Sequence, residues 1–548
     1  MAAGEPIMPL SDVTPGMSCT AKTVFSGTTA TEFPVTVRDI YSDPSTGDFL
    51  LVEVGGAAAS TGIASGMSGS PVYCPVAGGG TAIAGALSYG IGWENDQVGL
   101  ATPIERMIDG EVSVNSASKP APAAVAAAAR RMAKLPIPMQ VSGLNESSVN
   151  LLNKRSDKFN FIAASGSDAQ ASDVAALEPG SSVGVGFTAG DIIAGGIGTV
   201  SYRDGSKIWA FGHPMDDVGP SSLFMTEAPI TTIVDAAPSA MWASYKLGSF
   251  GANVGTLNGD NANAVTGLLG AGPAAVSTNR AHVTGLVDST VNVSVADEES
   301  LGFPHGNWIE MIAGFPAMQA TYESVKSAYV PRLSTSLCWT FTVRQLKDPF
   351  RFCKKMVGQA TFNPMFGGSQ TFAWIAEQEY FAARMIYSMR SANLSISDIA
   401  VAGKASNDLQ VASLKSAKQI GRSYKGKAKI RLSYLTPAGT TKTSDIKIPF
   451  PEGSGKKKIT VSGSQKAIKQ GVVLDNSKQI ANPTPSPYEP SVEEPLADPK
   501  NLQELQDMFS DLNGRTQLKV YGLKGGVRHI ANNLNGLLPV GGVSVTVK

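Results

Sequence analysis

The chain has 548 residues with 45 basic and 45 acidic side chains; 43% of it is hydrophobic and only 16% charged. Zero net charge with no Lys/Arg-dense face excludes a nucleic-acid binder that works through bulk electrostatics. A chain this long divides into three or more domains that each bury an interior, and 58 Gly and 33 Pro with scarce charge point to short strands and tight turns, hence a mainly β protein.

No stretch reaches the roughly 18 consecutive apolar residues of a spanning helix, so no integral membrane segment is expected. The start, MAAGEPIMPLSDV, has neither a basic region nor an apolar core, so it is not an intact signal peptide. The chain is either cytosolic or exported with its signal absent. Cys19, Cys74, Cys338 and Cys353 form no CxxC and have no His at zinc-ligand spacing, so no metal is expected. Free thiols and disulfides both stay open; Cys338 and Cys353 flank the turn LKDP and are placed to face each other across a hairpin.

Residues 1–112 alternate short apolar runs with turns (FPVTVRDIY, FLLVEV, TAIAGALSYGI, VGLATPI), the period-2 signal of strands. Residues 113–160 read as a linker or helical connection, because 113–135 is rich in Ala, Pro and Ser. Strands resume over 161–332, with RDG as a hairpin turn between two β runs. Residues 333–480 predict a β-rich domain similar to an immunoglobulin-like sandwich, with one helix, FAWIAEQEYFAARMIYSM, on the spacing of Trp374, Ile375, Tyr380, Ile386 and Met389. Residues 481–548 predict a Pro-rich linker, an amphipathic helix carrying Leu502, Leu505, Phe509 and Leu512, and terminal strands.

The segment that carries chemistry is TGIASGMSGSPVY (61–73). A nucleophilic serine needs a tight glycine-flanked turn whose backbone N–H groups converge on an oxyanion. Gly66-Met67-Ser68-Gly69-Ser70-Pro71 has that layout and resembles the GDSGGP of chymotrypsin-like peptidases. The resemblance makes Ser68 the nucleophile and the N–H groups of Gly66 and Ser68 the oxyanion hole. Ser88-Tyr89-Gly90 resembles the SWG strand, which pairs its backbone with substrate in those enzymes, and VGLATPI resembles the closing strand of HtrA-type peptidases. Gly62 falls near the floor of the specificity pocket, and the lack of charge there implies a small or apolar side chain before the scissile bond.

A serine needs a base. Of His213, His282, His305 and His529, His213 has the best setting, in WAFGHPMDDVGP at the end of an apolar strand and the start of a Gly/Pro turn. GMSGSP together with AFGHP resembles the stage IV sporulation protein B serine peptidases over roughly residues 8–330. In that family the serine and histidine of these motifs are the functional pair, which implies Ser68 and His213. Here the serine block comes first, so the implied fold is a circularly permuted chymotrypsin-like double β-barrel. A triad is defined by geometry rather than chain order. The orienting acid stays open between Glu53, Asp235 and Asp260, with a Ser-His dyad as the other reading; Asp216 and Asp217 follow His213 too closely to face it. Gly180-Ser181-Ser182-Val183-Gly184 fits GxSxG but runs into VGFTAG, a turn entering a strand rather than the strand–turn–helix the motif requires. No P-loop or dinucleotide fingerprint is present, so no cofactor is expected.

The expected function is a serine endopeptidase acting through an acyl-enzyme on a protein substrate, either an envelope regulator or the chain itself. Self-cleavage is expected in the 113–135 segment, and the expected location is extracytoplasmic. The alternative is a non-catalytic envelope scaffold that keeps a peptidase-like fold.

Overall fold

The computed structural model describes the chain except for residues 1–3, 44–46, 91–96, 111–132, 136, 157–159, 165–176, 218, 236–243, 297–307, 326–332, 359–369, 390–392, 409, 452–453, 464–497, 515–517, 524–527 and 531–533. It is mainly β, with two closed six-stranded barrels. It divides into two compact units, Met1–Val276 with Val293–Trp308, and Ser277–Asn292 with Ile309–Lys548.

Both barrels lie in the first unit. The first is built from β1 (Ser18–Thr23), β2 (Thr31–Asp43), β3 (Gly47–Val54), β4 (Pro71–Pro75), β5 (Thr81–Gly90) and β6 (Val98–Pro103), in the ring order β1-β2-β3-β6-β5-β4, closed by β4 against β1. Inward residues at every second position (Phe33, Val35, Val37, Leu50, Val52, Val54) form its core, the half-buried strand pattern. The Cys19–Cys74 disulfide spans the closing seam between β1 and β4. The helix Ile104–Asp109 follows.

Residues 113–132 lie outside the described residues, but Ala133–Lys134 is a strand (β7), Met139–Ser142 is another (β8), and Glu146–Arg155 is a helix. That helix is N-capped by Asn145, whose side chain accepts from the Ser148 N–H. Next comes β9 (Ile162–Ala163). The second barrel uses β10 (Ser182–Gly186), β12 (Ile193–Asp204), β13 (Lys207–Ala210), β14 (Gly219–Glu227), β17 (Asn253–Asn261) and β18 (Ala264–Leu269). Between these fall β11 (Thr188–Gly190), β15 (Ile230–Val234) and β16 (Tyr245–Gly248). The ring runs β10-β12-β13-β18-β17-β14, closed by β14 against β10. Counted within each barrel, both wind 1-2-3-6-5-4. The RDG turn joins β12 to β13 with Gly205 at φ 59°. The barrels meet through Tyr73, Ile83, Ala86, Ile104, Met107, Trp209 and Ala264, and through buried Arg106, whose Nη2 donates to Asn263 Oδ1 at 2.9 Å.

In the second unit, strands Ser277–Thr284, Ile396–Ser406, Leu333–Val343 and Phe350–Gly358 lie side by side, the first pair parallel. Cys338 and Cys353 stand directly opposite in the last pair and are disulfide-bonded. The helix forms over Gln370–Ser388; Ile375, Ile386 and Met389 are buried and Trp374 and Tyr380 half-buried. Two further four-stranded sheets, led by Lys427–Leu435 and Lys457–Ser462, share one apolar core. The helix Leu502–Gly514 buries Leu505, Phe509 and Leu512. Among the described residues, no helix is long and apolar enough to cross a membrane.

Candidate active site

Ser68 lies in the connection between the third and fourth strands of the first barrel, and His213 lies in the same connection of the second. The Ser68 turn is clamped from two sides. From its own barrel, Gly69 N–H donates to the Leu87 carbonyl at 2.7 Å and Leu87 N–H donates to Ser70 O at 3.0 Å. From the other barrel, Thr199 N–H in β12 donates to the Ser68 carbonyl at 2.9 Å, and Thr199 Oγ1 donates to the Gly66 carbonyl at 2.9 Å. Gly69 sits at φ 95°, and a Cβ there would lie 2.0 Å from Thr199 O and 2.5 Å from Phe211 N. Only glycine lets the turn abut the histidine-bearing barrel this closely. Among the described residues, none accepts a hydrogen bond from the N–H of Gly66 or Ser68.

β13 ends at Ala210, and the chain reverses through Phe211 (φ 67°) and Gly212 (φ 69°) to His213. A left-handed phenylalanine costs about 1–2 kcal/mol. It holds because the Phe211 ring is fully buried against Gly198, where a Cβ would lie 2.0 Å from it. Thr102 Oγ1 in β6 donates to the Gly212 carbonyl at 2.6 Å, so the Ser68 barrel also grips the histidine loop. His213 is fully buried, and its Nδ1 lies 2.8 Å from the Pro214 carbonyl. A carbonyl only accepts, so Nδ1 carries the hydrogen and Nε2 presents a lone pair. Burial pushes the imidazole down to about 4, opposed by the Pro214 bond and assisted by the nearby Lys134 charge. The histidine is therefore a neutral base at pH 7. Ser68 Oγ and His213 Nε2 are both buried without a hydrogen-bond partner, so the pair is not engaged in this conformation.

Of the three candidate acids, Glu53 is half-buried at the surface in an ion pair with Arg38, and Asp235 is exposed. Asp260 is fully buried at the β17–β18 hairpin. Its Oδ1 and Oδ2 accept from the backbone N–H groups of Met215 and Asp216, each at 2.7 Å. Asp260 thus holds the loop that carries His213, without bonding the imidazole. Ser88, Tyr89 and Gly90 end β5, and Tyr89 and Gly90 pair antiparallel with Lys134 and Ala133 of β7. The Tyr89 and His213 ring centroids are 6.2 Å apart.

Sequence reasoning missed Lys246 in β16. It is fully buried, and its Nζ donates to Thr23 Oγ1 (2.7 Å), Thr199 Oγ1 (3.1 Å) and Ser182 Oγ (3.2 Å). Burial pushes its ammonium down to about 7. Its Cβ backs onto Gly66, and Thr199 carries its hydrogen bonding to the Gly66 carbonyl. In YKLG nothing separates such a lysine from one that snorkels to solvent.

His282 is exposed with Nδ1 2.8 Å from Thr290 Oγ1, His529 lies on strand Arg528–Ile530, and His305 is outside the described residues. GSSVG enters β10, so no helix follows it. Among the described residues no group of three or more His, Cys, Asp or Glu is placed to hold a metal ion. No protein-family model, curated protein or solved structure matches the chain.

Proposed function

We propose that the chain is a serine endopeptidase with a circularly permuted chymotrypsin-like core. One observation carries this reading: two barrels of the same winding present the same strand connection to one seam, where the Gly69 turn abuts Phe211 and the Gly212 loop abuts Ser88. Ser68 Oγ attacks the substrate carbonyl and His213 Nε2 takes its proton. The N–H groups of Gly66 and Ser68 hold the oxyanion; its collapse breaks the C–N bond as His213 gives the proton to the leaving amine, and His213 then takes a proton from the water that attacks the acyl-enzyme and returns it to Ser68 Oγ as the acid product leaves. Asp260 is a positioning residue that holds the histidine loop through two charge-assisted hydrogen bonds. The substrate is a protein or peptide, the chain's own 113–135 segment included. Two disulfides favour an oxidising, extracytoplasmic location. The paired four-stranded sheets that share a core support an immunoglobulin-like reading of the C-terminal region.

Fluorophosphonate labelling followed by intact mass tests the chemistry. A single adduct on the wild type that is absent from Ser68→Ala and His213→Ala supports it. The unengaged Ser68 and His213 favour a second reading, a scaffold without catalysis. That reading predicts no adduct on any chain, including variants in which the cleft has been opened.

A further inference from the structure

The end of β5 is a sheet edge beside the candidate nucleophile, the kind of edge to which an extended peptide adds as a strand. Here the chain itself fills it. Ala133 and Lys134 pair antiparallel with Gly90 and Tyr89, and the Leu135 N–H donates to the Ser88 carbonyl at 2.9 Å. Side chains alternate along such a strand. Leu135 is 2% exposed and belongs to the apolar cluster that contains Ile63, Ala64 and Met67, from the turn leading into Ser68. A Cβ at Gly90 would lie 2.9 Å from Leu135 Cδ2, so the leucine fills the space left by that glycine. The neighbouring Lys134 turns the other way, and its Nζ donates to the Met215 carbonyl on the His213 loop at 2.9 Å. Three consecutive residues thus touch the end of β5, the apolar core of the first barrel and the histidine-side loop.

We propose that Ala133–Leu135 is a built-in occupant of the peptide-binding cleft, so that the site takes an extended segment with a leucine-sized apolar side chain in its pocket and stays latent until this strap is displaced. The inference rests on the peptidase reading above for the identity of the cleft. It accounts for both reactive atoms being buried and unpaired, since a filled cleft shields them from solvent. The strap is tethered, because a few residues on β8 pairs with β12 of the second barrel, and a tethered segment competes at an effective concentration in the millimolar range. In the sequence Pro136 follows Leu135. The bond after the pocket residue is therefore a tertiary amide with its nitrogen fixed in a ring, which suits an inhibitor rather than a substrate.

The test uses the full chain with two readouts: the rate of fluorophosphonate labelling at Ser68, and calorimetric binding of the free peptide acetyl-Ala-Lys-Leu-amide. Leu135→Asp and Leu135→Gly both vacate the pocket, the second without introducing a charge, and Leu135→Met keeps it filled. The expected result is labelling at least tenfold faster in Leu135→Asp and Leu135→Gly than in the wild type and Leu135→Met. The peptide binds the two vacated variants only, and acetyl-Ala-Lys-Asp-amide binds neither. Equal peptide binding by wild type and vacated variants, or none by any, overturns the strap. So does rapid labelling of the wild type, which would leave the peptidase reading standing. Peptide binding confined to the vacated variants with no labelling in any chain would uphold the strap and the pocket and remove the catalytic reading.

Discussion

The buried imidazole of His213 makes the stability of the second barrel depend on pH in a calculable way. Its folded-state value of about 4 lies below the ordinary 6.5. Above pH 6.5 neither state binds the proton, so His213 contributes nothing to the pH dependence. As the pH falls below 6.5 the unfolded chain takes up a proton that the folded one refuses, and stability drops until about pH 4. At about 1.4 kcal/mol per pH unit the loss is about 2 kcal/mol at pH 5 and about 3 kcal/mol at pH 4. His213→Asn supplies the control: its amide keeps a donor for the Pro214 carbonyl and does not titrate. Because the two units need not unfold together, the assay is native-state hydrogen exchange of peptides covering 207–215 and 253–261, followed from pH 7 to 4 in both chains. Groups common to both proteins cancel in the difference. A difference between the wild type and His213→Asn that stays flat within about 0.5 kcal/mol over this range would refute a neutral, desolvated histidine.

Other perturbations follow from the same seam. Asp260→Asn replaces one of two acceptors by a donor aimed at a backbone N–H; it should cost about 2–3 kcal/mol and slow Ser68 labelling in a strap-free background, both measurable on one sample. Gly198→Val drives a side chain into the Phe211 ring and should destabilise the second barrel by about 1–3 kcal/mol in urea unfolding. In Lys246→Met the titrating group is lost. Because the folded lysine value is lowered from 10.5 to about 7, the unfolded chain binds more protons between these limits, so wild-type stability should gain on Lys246→Met as pH rises from 7 towards 10; a constant gap in melting temperature would count against a buried cation. Replacing both Cys19 and Cys74 by Ala opens a link of 55 residues, against 15 for Cys338 and Cys353, and loop entropy makes the first loss the larger, about 4 against about 3 kcal/mol, by chemical denaturation of each unit.

Much of the barrel architecture was legible because Phe33, Val35 and Val37 of β2 and Leu50, Val52 and Val54 of β3 recur at every second position, and because RDG between two β runs reads as a hairpin turn. Ser68 and His213 stood out in the sequence as polar residues in glycine-containing turns between apolar runs. Asp260 was one acid among several, because an acid is selected by what it meets: two backbone amides 44 and 45 residues earlier in the chain. Lys246 and Glu379 were illegible for the same reason. Glu379 sits fully buried on the apolar face of its helix because Asn279 Nδ2 and Trp339 Nε1, 100 and 40 residues away, donate to its two oxygens, and helical periodicity carries no trace of such partners. Leu135 was hidden by composition: a lone leucine after an Ala/Pro/Ser run reads as linker until the edge it completes is known.

The order of the serine and histidine blocks follows from the winding. A barrel wound 1-2-3-6-5-4 places its 3–4 connection beside the end of its fifth strand, as Ser70 meets Leu87 in the first barrel. Two such barrels packed through a shared seam bring their 3–4 connections together whichever is translated first, and the contacts of Gly69 with Thr199 and Phe211 are that meeting in this chain. What chain order does change is the connection. Here the segment between the barrels must leave β6, near the fifth strand of the first barrel, and enter β8 beside β12 of the second. The described part of that connection, Ala133–Leu135, lies along the open edge of β5. Under the proposed strap, serine-first order and the occupied edge of β5 belong to one topology. Lengthening the connection between Leu135 and Met139 by a flexible Gly/Ser insert tests it, because a looser tether lowers the effective concentration of the strap and should raise binding of acetyl-Ala-Lys-Leu-amide while Leu135 itself is unchanged.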